Sequence, residues 1–263
     1  MLKGTDYHIH TKYLKCADET MTLPAIVRRC EELGLRSIGI ADHLNVRENY
    51  YQFAYIKRDI AALDTDLEVF FGVEINLLNG EGEIPYDEAM RDAIGFEFAI
   101  GGPHGAYVDH DDRRKIVEIH HRFLCQFAAD PLIDVVVHPW WFGKGDFEKN
   151  RLRWFDDMSD IPDELSIEFA QIAREHHTAI EVNPEATYQN PKYSDQFKED
   201  YRRYVALLNE QDVMFSLASD AHNINTLGIT RGAEALLEEL GVPDERIWTP
   251  RKAKSRATAG RGG

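Results

Sequence analysis

The chain lacks any run of about 18 apolar residues, the length a helix needs to cross a bilayer, and this excludes a helical membrane span. Its opening residues, MLKGTDYHIH, lack the apolar centre and small-residue cleavage site of a secretory signal, so a cytoplasmic location is expected. Cysteine is scarce. Cys16, Cys30 and Cys125 cannot all pair with one another and match no CxxC clip, which argues against a disulfide framework and leaves Cys30 as core filler. Positive charge is in deficit: 30 Lys and Arg against 46 Asp and Glu give a formal net charge of −16. Such a surface repels polyanions, so nucleic acid is disfavoured as a partner and a small anion captured at a local cationic site is easier to defend. Internal repeats, low-complexity interior segments and Gly/Ser linkers are also missing, and nothing in the sequence sets an oligomeric state.

What remains is an ordinary globular composition, 43% hydrophobic and 11% aromatic over 263 residues, enough for one large core. Apolar, β-branched runs ending in polar residues recur with amphipathic stretches between them, the pattern of repeated β-α units. Seven strands are expected at Thr5–His10, Ser37–Ala41, Glu68–Glu74, Phe96–Gly101, Ile133–His138, Thr178–Asn183 and Val213–Ser219. The first helix has Thr22 as N-cap, Pro24 in its first turn, Ile26, Val27, Cys30 and Leu33 on one face, and Gly34 as its stop. Further helices are expected over Glu48–Leu63, Asp112–Ala128, Asp160–His176, Ser194–Glu210 and Thr226–Leu240, with a hairpin or loop and a short helix within Asn79–Arg91. Near-continuous apolar strands such as IDVVVH suit burial on both faces, so the expected class is α/β, a parallel sheet closed into a TIM-like barrel. One domain over residues 1–248 is expected, followed by a basic tail at 249–263 whose Ala- and Gly-rich composition predicts a disordered, solvated segment or one that binds an acidic partner.

Groups able to ligate a metal fall at the carboxyl end of nearly every expected strand: His8 and His10, Asp42 and His43, Glu74, His104, His138, and Asp220 with His222. In a parallel barrel those ends converge on one face, so residues more than 200 positions apart can share a site. His8 and His10, two apart on a strand, point the same way and can grip one cation. A lone strand-end histidine is more often a satisfied core or surface group. Six of them beside Glu74 and Asp220 reverse that expectation, because a cation gives each ring and carboxylate a partner.

In order, DYHIH, ADH, GVE, GGPHG, VVHPW and SDAH resemble the motifs of the PHP family, named for polymerase and histidinol phosphatase, from Asp6 to His222. The resemblance implies a distorted seven-stranded β/α barrel with two or three divalent ions, commonly zinc, manganese or iron. It implies that His8, His10, Glu74 and Asp220 hold one metal and that Glu74, His104 and His138 hold a second, Glu74 bridging the two. His43 and His222 would hold a third. Asp42 looks like a neighbour that orients the site. Many members have a further histidine six residues after the HxH; here Cys16 stands in that place, with Asp18 two residues on, and either could substitute, or neither binds and His43 and His222 hold a weakly bound ion completed by water.

The implied chemistry is hydrolysis of a small phosphomonoester. Two or three divalent ions carry roughly +4 to +6 against two carboxylates, so the pocket stays cationic, and a metal-bridging hydroxide attacks phosphorus in line. Glu74, Asp220 and Asp42 are the carboxylates expected to matter for catalysis. Arg231, beyond SDAH, and Lys12, just past HIH, could reach a phosphate, and Asn183 at the end of the sixth strand beside Glu181 could hold a water or a substrate hydroxyl; surface or strand-end roles compete in each case. Trp140 and Trp141 could wall a substrate or pack a loop. His120, His121, His176 and His177 lie on expected helices and read as structural or exposed. Competing readings are an amidohydrolase-like metal hydrolase, disfavoured because Glu74 stands where a carboxylated lysine is usual, an oligonucleotide exonuclease, disfavoured by charge, and a metal-bearing regulatory module without turnover.

Overall fold

The computed structural model describes residues 4–108 and 110–250; the expected tail beyond Pro250 lies outside the described residues. The strands are β1 (Thr5–Ile9), β2 (Ser37–Ile40), β3 (His43–Leu44), β4 (Glu68–Ile75), β5 (Phe98–Gly101), β6 (Val135–Val136), β7 (Ala179–Val182) and β8 (Phe215–Leu217). Seven of them run parallel in the order β1-β2-β4-β5-β6-β7-β8, and β3 pairs with β4 alone. An isolated parallel bridge, Ile9 with Ala221, nearly closes the ring, with His10 N donating to Ala221 O at 3.1 Å. The buried Asp6 carboxylate spans the same seam, accepting from Ser219 N (3.0 Å) and His8 N (3.4 Å). The result is the expected α/β, TIM-like barrel.

The helices are α1 (Leu23–Glu32), α2 (Phe53–Ala61), α3 (Glu88–Ile94), α4 (Arg113–Ala129), α5 (Lys144–Lys149), α6 (Asp163–His176), α7 (Asp195–Glu210) and α8 (Thr230–Glu239). Their starts follow local chemistry: Thr22, Asp87, Asp112 and Ser194 each accept a backbone N–H of the first turn through the side chain. None of the described helices is long and apolar enough to cross a membrane.

Several boundaries differ from expectation. The segment expected as Glu48–Leu63 divides into a 3-10 stretch, Arg47–Gln52, and α2. The strand expected over Ile133–His138 shrinks to two residues, because Asp134 turns its side chain back to accept Ala99 N (2.9 Å) and His138 takes a positive φ of 29°. The last strand also shortens, since Asp220 adopts the left-handed region at φ 54°. The helix expected from Thr226 begins at Thr230, after a turn in which Thr226 bonds back to Asn223 O. β3 and α5 were not expected.

The barrel interior is filled in its lower half by Tyr7, Phe70, Phe98, Ile100, Val135, Val137 and Ala179. Phe98 lies there because Gly39 and Gly72 leave room for it: a Cβ at these positions would sit 2.6 and 2.3 Å from its ring. Trp248 closes the floor, donating its backbone N–H to Phe215 O (2.7 Å) and meeting the Tyr7 and Phe98 rings edge-on. A register shift in β1 between Asp6 and Ile9 changes the strand's phase. Tyr7 can therefore join the apolar floor while its neighbour His8 faces the polar mouth.

Candidate metal centre

Each strand delivers its polar residue at or just beyond its carboxyl end, and the closing barrel gathers them around Glu74 on β4. Glu74 is fully buried. Its Oε2 lies 2.6 Å from His43 Nδ1, 3.3 Å from His8 Nε2 and 3.4 Å from His10 Nε2. Its Oε1 lies 2.9 Å from His104 Nε2 and 3.4 Å from His138 Nε2. Asp220 Oδ1 stands 2.9 Å from His10 Nε2 and 3.4 Å from His8 Nε2, and those two ring nitrogens are only 3.0 Å apart. His222 stacks on His10 with ring centroids 4.0 Å apart. His8, His10 and Asp220 form one group compact enough to hold an ion, His43, Glu74 and His104 another, and His10, Cys16, His43 and His222 a third.

The hydrogen-bond network shows why these groups suit a cation. His8 Nδ1 meets Glu181 Oε1 at 2.6 Å, His104 Nδ1 meets Gly102 O at 3.0 Å and His222 Nδ1 meets Asp220 O at 2.9 Å. Each of these acceptors fixes the proton on Nδ1 and turns the Nε2 lone pair the other way. For His8 and His104 that lone pair then faces Glu74, acceptor against acceptor, and Glu74 Oε2 finds no hydrogen bond of good geometry despite its neighbours. Only protons or cations relieve such an arrangement. Burial alone would lower the pKa of His8, yet Glu181, Asp220 and Glu74 together raise it well above the ordinary range. Burial would likewise raise that of Glu74, and His43, His8 and His104 hold it well below. A divalent ion supplies the same compensation without protonating a ligand.

Two buried carboxylates steady this shell. Glu181 on β7 takes His8 Nδ1 with one oxygen and His138 N with the other, at 2.6 Å each. It therefore ties His8 on β1 and His138 just past β6 to a third strand, a role its position at a strand end did not reveal. Asp42 accepts Thr11 N (2.6 Å) and Thr11 Oγ1 (2.5 Å), and burial raises its pKa to about 7. It lies 3.9 Å from His10 Nδ1, placed to shape the loop after β1.

Above the cluster opens a cavity of about 400 Å³ whose floor includes His43, His104, Asp220 and His222. Trp141, Glu185 and Lys192 stand on its walls. Trp141 lies 5.0 Å from the His138 ring between centroids, whereas Trp140 is wholly buried, so one tryptophan walls the pocket and the other packs. Glu185, with its pKa raised to about 7 by burial and then by Asp220, and Lys192 come from the loop after β7 and escaped the sequence reading, because nothing periodic marks them.

The expected substrate contacts are not brought here. Arg231 bonds Leu33 O at 2.9 Å, past the end of α1 and away from the pocket. Lys12 pairs with Glu19 at 3.1 Å on the surface. Asn183 is fully buried, its side-chain oxygen accepting Ala186 N (3.0 Å) and its Nδ2 left without a hydrogen-bond partner among the described residues. His120 is buried and bonded to Gly105 O (2.7 Å), while His176 and His177 are exposed, as their helical positions suggested.

Comparison with known proteins adds to this geometry. The model of the PHP domain matches residues 6–185, more than half of the chain. A protein of Enterobacter sp. (strain 638) named as a probable phosphatase is 24% identical over 252 residues, covering 94% of this chain and 91% of that one. The crystal structure of an archaeal fructose 1,6-bisphosphate aldolase covers 90% of this chain and 94% of its own at 14% identity, with a TM-score of 0.37 that carries no functional argument.

Proposed function

Because the chain belongs to the PHP domain family, we propose that it is a metal-dependent phosphoesterase that releases phosphate from a small phosphomonoester. The observation that carries this reading is the convergence of histidine lone pairs on Glu74 and Asp220 at the floor of an open pocket. His8, His10, Glu74 and Asp220 would hold one divalent ion and Glu74, His104 and His138 a second, while His43, at Glu74 Oε2, and His222 would contribute to a third. The donor set of imidazoles and carboxylates suits zinc, manganese or iron. Such ions, when bound, supply an acidified water and neutralise charge on phosphoryl oxygens.

The chain's own residues do the rest. Glu74 would serve both ions from the centre of the cluster, its two oxygens facing different histidines, and Glu181 keeps His8 and His138 in orientation. Asp42 fixes the loop that carries Thr11. Lys192 is the cation on the pocket wall and meets the anionic substrate there, while Trp141 limits the leaving group to what fits beside it. A cavity of about 400 Å³ within a chain of net charge −16 favours a small anion over a polynucleotide.

The test is metal analysis of the purified protein followed by a panel of phosphomonoesters, a phosphodiester and a short oligonucleotide, with zinc, manganese or iron added. Phosphate release from monoesters that stops on chelation is expected. Activity that survives exhaustive chelation, or that falls on the oligonucleotide alone, overturns the proposal.

A further inference from the structure

The loop after β1 places a sulfur atom against the histidine cluster. Leu14 and Lys15 both take the left-handed region at φ 58°, an uncommon choice for non-glycine residues, and reverse the chain so that Ala17 N reaches Thr11 O at 3.0 Å. Cys16 is thereby laid over the site. Its Sγ lies 3.2 Å from His10 Nδ1 and 3.3 Å from the backbone N of His43, and it shares with ring nitrogens of His10, His43 and His222 a space in which all lie within 4.8 Å of one another. Asp18, the other residue in this loop able to ligate, is engaged elsewhere. Its carboxylate accepts Thr20 N (2.8 Å), the Thr20 hydroxyl and Asn223 Nδ2, and it belongs to none of the compact groups.

We propose that Cys16, as a thiolate, is a ligand of the third metal position together with His43 and His222, making that position sulfur-bearing and selective for zinc. On binding, the Sγ–H bond breaks, an Sγ–metal bond forms and the proton leaves to solvent, with no change of oxidation state. His10 does not need to ligate there: its Nε2 already faces Asp220 and His8, so its Nδ1–H is the group that meets the sulfur. One sulfur thus fills the third position and fixes the tautomer of a ligand of the first. A soft thiolate favours zinc over manganese or magnesium, whereas the His and carboxylate groups around Glu74 discriminate less. This inference rests on the metal-site reading above and is independent of whether phosphate is the substrate.

Cobalt is a spectroscopic stand-in for zinc, because a thiolate ligand gives it a sulfur-to-metal charge-transfer band that imidazole and carboxylate do not. The full-length protein is stripped with chelator and refilled with cobalt, and the band is read against cobalt per chain by metal analysis. The wild type and Asp18→Asn are expected to show the band. Cys16→Ser loses it together with one equivalent of cobalt, and Cys16→His loses the band but keeps the equivalent, which separates a lost ligand from a lost fold. Cys125→Ser is the control, since Cys125 sits on α4 beside His121. A fully loaded wild type without the band, or a band that persists in Cys16→His, overturns the proposal.

Discussion

Phe70 and Glu74 stand four residues apart on one strand of the barrel, and the interior changes character between them. Below, Phe98 and Trp248 pack with the Tyr7 ring, Phe70 and aliphatic side chains into an apolar floor, and its stability comes from filled volume. Above, ring nitrogens and carboxylates converge at 2.6–3.4 Å, an arrangement that needs a cation or protons. The same parallel strands build both halves. The comparison teaches that the strands' apolar lower residues position the site, while its chemistry resides in the one or two residues at each carboxyl end.

If the halves are separable, damage to the floor changes stability and leaves ligation alone. Phe98→Ala is expected to cost about 3–5 kcal/mol of unfolding free energy, with metal content per folded molecule unchanged, as followed by denaturant unfolding and metal analysis. Metal lost in proportion to that destabilisation would show the halves to be one unit. The reciprocal change is Glu74→Gln, expected to weaken metal retention and phosphate release by more than about 100-fold, beyond the range for residues outside the ligand set, with circular dichroism preserved. Full metal content in this variant would break the comparison at its centre.

Glu181 lies at the boundary. Replacing it by Gln, which cannot match both of its contacts to His8 and His138, should lower metal affinity by about 10–100-fold, measured by competition with a chromophoric chelator.

His120 tests burial without ligation. Burial lowers its pKa to about 4, so the folded state resists protonation while the unfolded state takes a proton near pH 6.5. Its stabilising contribution is therefore present above pH 6.5 and is lost as pH falls toward 4. At pH 5 the loss is on the order of 2 kcal/mol, and His120→Asn should narrow the stability difference between pH 7 and pH 5 by that order while leaving metal content at pH 7 intact. His176→Ala, at an exposed helix end, should stay within about 0.5 kcal/mol; a loss of metal there would discredit the strand-end account.

Much of this was legible in the sequence because a parallel barrel makes linear order and spatial order agree. Apolar runs ending in His, Asp or Glu marked both the strands and the residues that meet, and Asp220 and His222 joined the cluster although they lie beyond the matched part of the family model. What escaped depended on groups distant in sequence or on loop conformation. Glu181 gains its role from His8 and from the backbone of His138, neither of which its own neighbourhood announces. Cys16 reaches the histidine cluster through two non-glycine residues with positive φ, which no sequence pattern marks, and of the two roles open to Arg231 the structure shows a bond to Leu33 O.

The most direct test of the central claim is a back-titration. Protein stripped of metal is refilled stepwise with zinc, manganese or iron while bound metal and phosphate released from its best monoester are measured in the same samples. Release that is absent in the stripped protein and rises in step with occupancy, and that Glu74→Gln fails to recover, is the predicted result. Release that stays constant as occupancy goes from zero to saturation, or a fully loaded protein that cleaves no monoester, would contradict the account.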